Sequence, residues 1–158
     1  MNIEYDVVCQ LLKRVVGKEV TYSRSGGGAG SIWLIKFQGE CHIMIYCTWR
    51  IEYGNIVLAT SNDDATAVTG RIARSVRQLE EKHAKLLSIE LSRQKDLVML
   101  FEGGYCARVF FDIFRYSEGW CHWKMENWNF AIPSLNLCIV ANSRDYFRLG
   151  KYYEYDGE

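Results

Sequence analysis

Cysteine and histidine are the side chains of this chain that could bind a metal ion. The sequence contains six cysteines and three histidines. A metal site usually includes at least one closely spaced pair of ligands, and the chain has no CxxC, HxxxH or HExxH motif. Cys121 and His122 are adjacent, and neighbours in a strand point to opposite faces, so this pair cannot chelate one ion. We therefore predict no metal site and no cofactor.

Covalent or acid–base catalysis would need side chains from distant parts of the chain to converge. A cysteine and a histidine could meet in space as a nucleophilic pair; the candidates are Cys106, Cys121, His42 and His122. The candidate acids lie near predicted turns, where carboxylates are normally solvated: Asp96, Glu102, Asp112 and Glu118. We predict no catalytic residues and no enzymatic activity. The alternative is a small enzyme or ligand-binding module with a Cys/His or aromatic-lined cleft.

Aromatic residues make up 14% of the chain, and they suit either a core or an interface. Trp120 and Trp123 are three positions apart near a predicted sheet edge, so in a strand they point to opposite faces. At least one of them should therefore be partly exposed. The 19 basic and 19 acidic residues cancel. Non-specific nucleic-acid binding needs net positive charge, so a protein partner is the more plausible use of an exposed tryptophan.

One predicted strand carries the main candidate contact surface. Its polar face presents four side chains in a row: Tyr46, Thr48, Arg50 and Glu52. The row is either a solvated face with a local Arg50–Glu52 pair or part of a partner-binding surface, with Trp120 or Trp123 at its margin. The sequence leaves both interpretations open.

Residues 31–61 position this row. Their pattern predicts three strands joined by tight turns at 38–40 and 53–55. The middle strand, residues 41–52, alternates with a period of two, as a half-buried antiparallel strand does. Its other face is apolar and should be the core face: Cys41, Ile43, Ile45, Cys47, Trp49 and Ile51. Trp49 should therefore lie in the core.

Two helices are predicted to cover the sheet. Residues 3–16 follow the spacing of an amphipathic helix, with Asn2 as its N-cap and Gly17 as its stop. Residues 62–83 form the second candidate, whose firm part spans roughly 70–83 and whose apolar stripe ends at His83. Whether residues 62–70 are helix or loop is left open, because Gly70 weakens the pattern.

Connections of hairpin length dominate the rest of the chain. Residues 18–24 form a short strand, and the glycine-rich loop 25–30 leads into another strand, so a hairpin tip is favoured over a phosphate cradle, which requires a helix. Further strands are predicted over 87–91, 96–102, 105–114, 120–125 and 135–141. No βαβ alternation occurs, which favours an antiparallel sheet.

These patterns predict an α+β fold in a single domain, residues 1–158, with a frayed tail from about 151. We expect about seven to nine mostly antiparallel strands in a curved sheet or open sandwich with two helices packed on it. No apolar run reaches the roughly 20 residues that span a bilayer, and acids stand where an export signal would carry bases. We therefore expect a cytoplasmic protein with reduced thiols and no membrane contact.

Several short segments resemble a group of small bacterial proteins of unknown function. They are Gly17-Lys18, Gly30-Ser31-Ile32, Cys47-Thr48-Trp49-Arg50-Ile51-Glu52, Ile56-Val57-Leu58-Ala59-Thr60-Ser61, Asp96-Leu97 with Phe101, Val109-Phe110 and Asn127-Trp128. Relatives of that group are regarded as immunity proteins, encoded beside polymorphic or contact-dependent toxins. The likeness covers about residues 17–130, although residues 62–78 form a longer stretch than that pattern usually has. It implies a single-domain cytoplasmic protein that binds and neutralises a toxin domain, with no catalytic residues to carry over.

Overall fold

The computed structural model describes residues 2–26, 31–63, 70–112, 126–142 and 147–152. This part of the chain contains two α-helices, α1 (Tyr5–Leu12) and α2 (Arg71–Glu81), and twelve strands. The strands are β1 (Asn2–Ile3), β2 (Val20–Gly26), β3 (Ile32–Phe37), β4 (His42–Ile45), β5 (Thr48–Tyr53), β6 (Ile56–Thr60), β7 (Leu86–Leu91), β8 (Leu97–Phe101), β9 (Tyr105–Phe110), β10 (Glu126–Ile132), β11 (Leu137–Asn142) and β12 (Phe147–Lys151).

The strands form two antiparallel sheets. The seven-stranded sheet has the order β1-β12-β11-β10-β4-β3-β2, and the five-stranded sheet has the order β6-β5-β9-β8-β7. The predicted α+β class with antiparallel strands and an N-terminal helix is confirmed. The twelve described strands exceed the expected seven to nine, partly because one predicted strand is divided between the two sheets.

The divided strand is the predicted middle strand, residues 41–52. Its first half is β4 in the seven-stranded sheet, and its second half is β5 in the five-stranded sheet. Between them, the N–H groups of Tyr46 and Cys47 both donate to the carbonyl oxygen of Asn127, at 2.8 and 3.1 Å. Both N–H groups thus keep a hydrogen-bond partner where the chain passes from one sheet to the other.

The core lies where the two sheets meet, and the predicted apolar face forms its centre. Ile43, Ile45, Cys47, Trp49 and Ile51 are all buried, while Cys41 is half-buried. The alternation continues through the crossover because inward residues of both sheets point to the same core. The predicted register of this strand is therefore confirmed.

The two helices cover strands at the margins of the sheets. α2 buries Ile72, Val76 and Leu79 and packs along β2 and β6. α1 and the 3₁₀ turn that follows it (Lys13–Val15) pack against β7, where the Tyr5 hydroxyl donates to the Leu91 carbonyl oxygen. Neither described helix has the length and apolar character needed to cross a bilayer.

Two local predictions about helix ends are corrected by the structure, and one is confirmed. Asn2 is not an N-cap, because it pairs with Arg148 as part of β1 and Glu4 stands at the start of α1. The predicted firm part of the second helix, roughly 70–83, is confirmed, because α2 spans Arg71–Glu81 and Gly70 directly precedes it. His83 lies beyond the helix, exposed and with φ +48°, and so does not belong to the buried stripe.

Other predictions are confirmed or fall outside the described residues. The hairpin around the glycine-rich loop is confirmed, because β2 pairs with β3 on either side of it. Gly17 ends the N-terminal helical segment with φ +80°, a conformation that favours glycine. The predicted strand 120–125, residues 64–69 of the second helical candidate and the tail beyond 152 lie outside the described part.

Candidate functional site

The outer face of the five-stranded sheet, which points away from the core, contains most of the predicted contact row. On this face Arg50 of β5 lies opposite Arg108 of β9, Arg108 lies opposite Val98 of β8, and Val98 lies opposite Glu90 of β7. We call these four residues the cross-strand row. It crosses four adjacent strands, and each position is fixed by the register of an antiparallel pair.

Two arginines and one glutamate form a charged cluster on this face. Arg50 and Arg108 face each other directly, an arrangement of like charges that destabilises a sheet unless something compensates for it. Glu52 Oε1 lies 2.5 Å from Arg50 Nε and 3.2 Å from Arg108 Nε. The contact with Arg50 is an ion pair without hydrogen-bond alignment, whereas Arg108 donates hydrogen bonds to both carboxylate oxygens. One carboxylate therefore serves two guanidinium groups, and the cluster keeps a net positive charge.

Exposed apolar side chains surround the charged cluster. The Arg50 guanidinium lies 5.4 Å from the centre of the Phe110 ring, and this ring is 37% exposed. Leu100 and Val57 on the same face are 42% and 37% exposed. Arginine and aromatic residues are enriched at protein interfaces, and they supply much of the binding energy there.

A groove of about 300 Å³ opens on the outer face beside the cluster. Its lining combines carboxylates, one guanidinium and apolar groups from β7, β8 and β9: Glu90, Leu91, Ser92, Asp96, Leu97, Val98, Arg108, Val109 and Phe110. The Asp96 carboxylate is already engaged, because Oδ1 accepts the Phe111 N–H at 2.7 Å. Glu90 and Arg108 are therefore the charged groups of the groove that a partner could contact.

The structure divides the four residues of the predicted row. Thr48, Arg50 and Glu52 lie on the outer face of the five-stranded sheet. Tyr46 lies at the crossover and contacts the other sheet, where its hydroxyl donates to Met44 Sδ at 2.7 Å. Trp120 and Trp123 lie outside the described residues.

Thr48 has a structural partner within the protein. Its hydroxyl and its N–H both donate to Asp112 Oδ2, at 2.9 and 3.2 Å. The Asp112 N–H in turn donates to Asn127 Oδ1 at 2.7 Å, and Asn127 Nδ2 donates to the Asp112 carbonyl oxygen at 3.1 Å. Thr48 thus anchors the start of β5 and holds Arg50 and Glu52 in place.

Three of the described thiols have environments that oppose nucleophilic reactivity. Burial, with a further contribution from the Asp112 charge, raises the pKa of Cys47 to about 12. Burial also raises the pKa of Cys41 and Cys106. Reactive cysteines need the opposite shift, toward the thiolate. All five described cysteines are free thiols: Cys9, Cys41, Cys47, Cys106 and Cys138.

The possible Cys–His pair of His42 and Cys106 does not form. His42 lies on the outer face of the seven-stranded sheet, where its ring packs edge-on against Tyr152 at 5.5 Å between centroids. Cys106 lies on the five-stranded sheet, opposite Glu52. Burial lowers the pKa of His42. Cys121 and His122 lie outside the described residues.

Sequence reasoning identified Arg50 and Glu52 but missed Arg108, Glu90 and the groove. Arg108 and Glu90 each stand at a position of their own strand that points away from the core. This alternation is the only signal that the sequence offers. Which outward residue faces Arg50 depends on the register of strands that are distant in the chain, and no local pattern encodes it.

Among the described residues, no group of three or more His, Cys, Asp or Glu side chains is placed to hold a metal ion. No protein-family model, curated protein sequence or solved structure matches this chain.

Proposed function

We propose that this chain is a non-catalytic interaction domain that binds a protein partner through the outer face of the five-stranded sheet. We further propose that the partner is a bacterial toxin domain, which this protein neutralises in the cytoplasm. The resemblance to immunity proteins supports the identity of the partner, and the surface chemistry supports the mode of binding.

The observation that carries this proposal is the cluster of Arg50, Glu52 and Arg108. The Arg50 and Arg108 side chains are 40% and 38% exposed and share the Glu52 carboxylate, which is 13% exposed, and like charges directly opposite each other destabilise a sheet. Two arginines that face each other are thus not expected to stabilise the sheet. They suit the recognition of a partner carboxylate, because a guanidinium group binds carboxylates in a fixed, bidentate geometry.

The surroundings of the cluster support a protein as the partner. Phe110, Leu100 and Val57 provide apolar contact area around the charges, and strands hold every one of these residues. A surface of this kind can bury an aromatic anchor and exclude water from the ion pairs at its centre. The raised pKa of Cys47 and Cys106 supports a role without covalent catalysis.

The test uses the protein encoded by the reading frame immediately upstream, purified and titrated calorimetrically against this chain. We expect the wild-type protein to bind it and Arg50→Glu to weaken binding by about 30-fold or more, because like charges then meet in the interface. Arg148→Glu is the matched control, since Arg148 is exposed on the seven-stranded sheet. Denaturant midpoints confirm that each variant is folded.

Two results would contradict the proposal in different ways. If the wild-type protein does not bind the upstream product, toxin neutralisation is wrong. If it binds and folded Arg50→Glu binds equally well, the partner uses another surface.

A further inference from the structure

The cross-strand row has an order of charges that specifies the chemistry of the partner, given the proposed function. Reading across the sheet, Arg50 and Arg108 are positive, Val98 is apolar and Glu90 is negative. Neighbouring strands lie about 4.8 Å apart, so Arg108 and Glu90 start about 10 Å apart. Glu90 is exposed, and its carboxylate makes no ion pair or hydrogen bond within the described part of the chain.

The groove lies between these two charged residues. Its volume of about 300 Å³ is at the lower end of the range for small-molecule pockets, which usually enclose most of their ligand. A groove on the outer face of a sheet cannot enclose a ligand in that way. It can accept one large apolar side chain that a partner protein presents, in contact with Val98 and Phe110.

The spacing of the row decides which element of the partner fits it. On one face of a strand, residues i and i+2 lie about 6.6 Å apart and residues i and i+4 about 13 Å apart. Neither spacing matches the separation of about 10 Å between Arg108 and Glu90. On a helix, residues i and i+7 lie about 10.5 Å apart, with i+3 and i+4 between them. An amphipathic helix laid across the strands therefore matches the row.

We infer that the partner presents a helix with an acidic residue at i, a large apolar residue at i+3 or i+4, and a basic residue at i+7. The acid pairs with Arg108 and Arg50, the apolar side chain fills the groove over Val98, and the base pairs with Glu90. This arrangement supplies a second carboxylate to two arginines that share Glu52, and it supplies a cation to Glu90.

Three variants test this inference against the upstream product. Glu90→Lys and Arg108→Glu place like charges against the two ends of the helix, and each should weaken binding by about 30-fold or more. Val98→Trp fills the groove with a side chain that strands accept well, and it should weaken binding to a similar extent. Glu81→Lys on the exposed side of α2 and Arg148→Glu are the matched controls and should bind like the wild-type protein.

A compensating change in the partner distinguishes the inferred helix from a partner that docks through a strand or a loop. Reversing the charge of one basic residue on one of its helices should restore binding to Glu90→Lys while weakening binding to the wild-type protein. If the wild-type protein binds and the three variants keep its affinity, the inference is wrong while the proposed function stands. If the variants lose binding and no single reversal of a helix base restores Glu90→Lys, the helical geometry is wrong. If the wild-type protein does not bind, the proposed function fails and the inference fails with it.

Discussion

At the scale of single residues, Trp49 is where the two sheets contact each other. It is fully buried on β5, and its ring lies 4.8 Å from the ring of Trp33 on β3 of the other sheet. Its indole N–H donates to the Ser31 carbonyl oxygen at 2.6 Å. Trp49 therefore contributes apolar burial and satisfies its one polar group.

We expect Trp49→Ala to lower the free energy of unfolding by about 3–5 kcal/mol, because it leaves a large cavity and an unpaired carbonyl group. Urea denaturation followed by circular dichroism measures the change. Tyr22→Ala is the control, since Tyr22 is 38% exposed, and it should cost less than about 1 kcal/mol. An unchanged midpoint for Trp49→Ala would contradict the position assigned to the core.

The thiol of Cys47 gives a second prediction at this scale. Its pKa of about 12 and its burial keep it protonated and out of reach of a thiol reagent at pH 8. We expect Cys47 to be among the thiols that react slowly in the native protein, and Cys47→Ala to lower the number of slow thiols by one. In denaturant without a reductant, all six cysteines of the chain should react. Fewer than six reactive thiols would indicate a disulfide or a tightly held metal ion.

At the scale of elements, Asn127 of β10 holds the crossover between β4 and β5. Its carbonyl oxygen accepts the N–H groups of Tyr46 and Cys47, and its buried side chain bonds both main-chain groups of Asp112. Asp112 then anchors Thr48. One residue thus fixes the point at which the chain leaves the seven-stranded sheet and the point at which β5 begins.

Asn127→Ala should lower the free energy of unfolding by about 2–4 kcal/mol, because two main-chain groups of Asp112 lose their partners. Denaturant unfolding measures the loss, and Asn62→Ala on an exposed turn serves as the control. The same variant should also weaken partner binding, since it loosens the start of β5. A variant with wild-type stability would show that the crossover does not depend on this side chain.

Glu80 connects helix α2 to strand β2. Its carboxylate accepts the Ser23 N–H at 2.9 Å and forms a bidentate ion pair with Arg24. Burial alone would raise the pKa of Glu80, but the Ser23 hydrogen bond and the Arg24 charge lower it below its ordinary value of 4.5. Because the folded state then prefers the charged form, this contact stabilises the protein above pH 4.5 and loses its effect as the pH falls through the folded-state pKa.

Glu80→Gln should therefore cost about 1–2 kcal/mol at pH 7 and progressively less as the pH falls below 4.5. Urea midpoints measured between pH 7 and pH 3 give the two curves, which should converge at the acid end. Glu81→Gln, at an exposed neighbouring position, should follow the wild-type curve throughout. Parallel curves for Glu80→Gln and the wild-type protein would contradict the assigned pKa shift.

At the scale of the whole molecule, helices and side chains cover the margins of the sheets. The Arg71 side chain donates to the Val57 and Leu58 carbonyl oxygens of the edge strand β6, and the Tyr5 hydroxyl donates to Leu91 of the edge strand β7. These contacts occupy carbonyl oxygens that an edge strand would otherwise offer to another chain. These contacts favour the outer face over these two edges as the surface that a partner would use.

The sequence predicted the core better than it predicted the path of the chain. Burial imposes a period of two on any strand, so the inward residues from Ile43 to Ile51 were evident from their spacing. The crossover at Tyr46 and Cys47 was not evident, because the alternation continues through it and its main support, Asn127, lies far along the chain. Asn2 shows the same limit, since a good N-cap residue was recruited into pairing with Arg148.

In the candidate site, too, local contacts could be predicted from the sequence and long-range contacts could not. Arg50 and Glu52 are two positions apart in one strand, so their pairing could be predicted locally. Arg108 and Glu90 join them only through the registers of β9, β8 and β7. Contacts set by long-range register leave no local pattern in a single sequence.

The central claim is that a protein partner covers the outer face of the five-stranded sheet. Hydroxyl-radical footprinting of the complex with the upstream product, read by mass spectrometry, tests it directly. Phe110, Leu100 and Tyr22 are exposed to similar extents, at 37%, 42% and 38%, and Tyr22 lies on the other sheet. We predict that oxidation of Phe110 and Leu100 falls on binding while that of Tyr22 is unchanged. Protection of Tyr22 with no change at Phe110 and Leu100 would contradict the account.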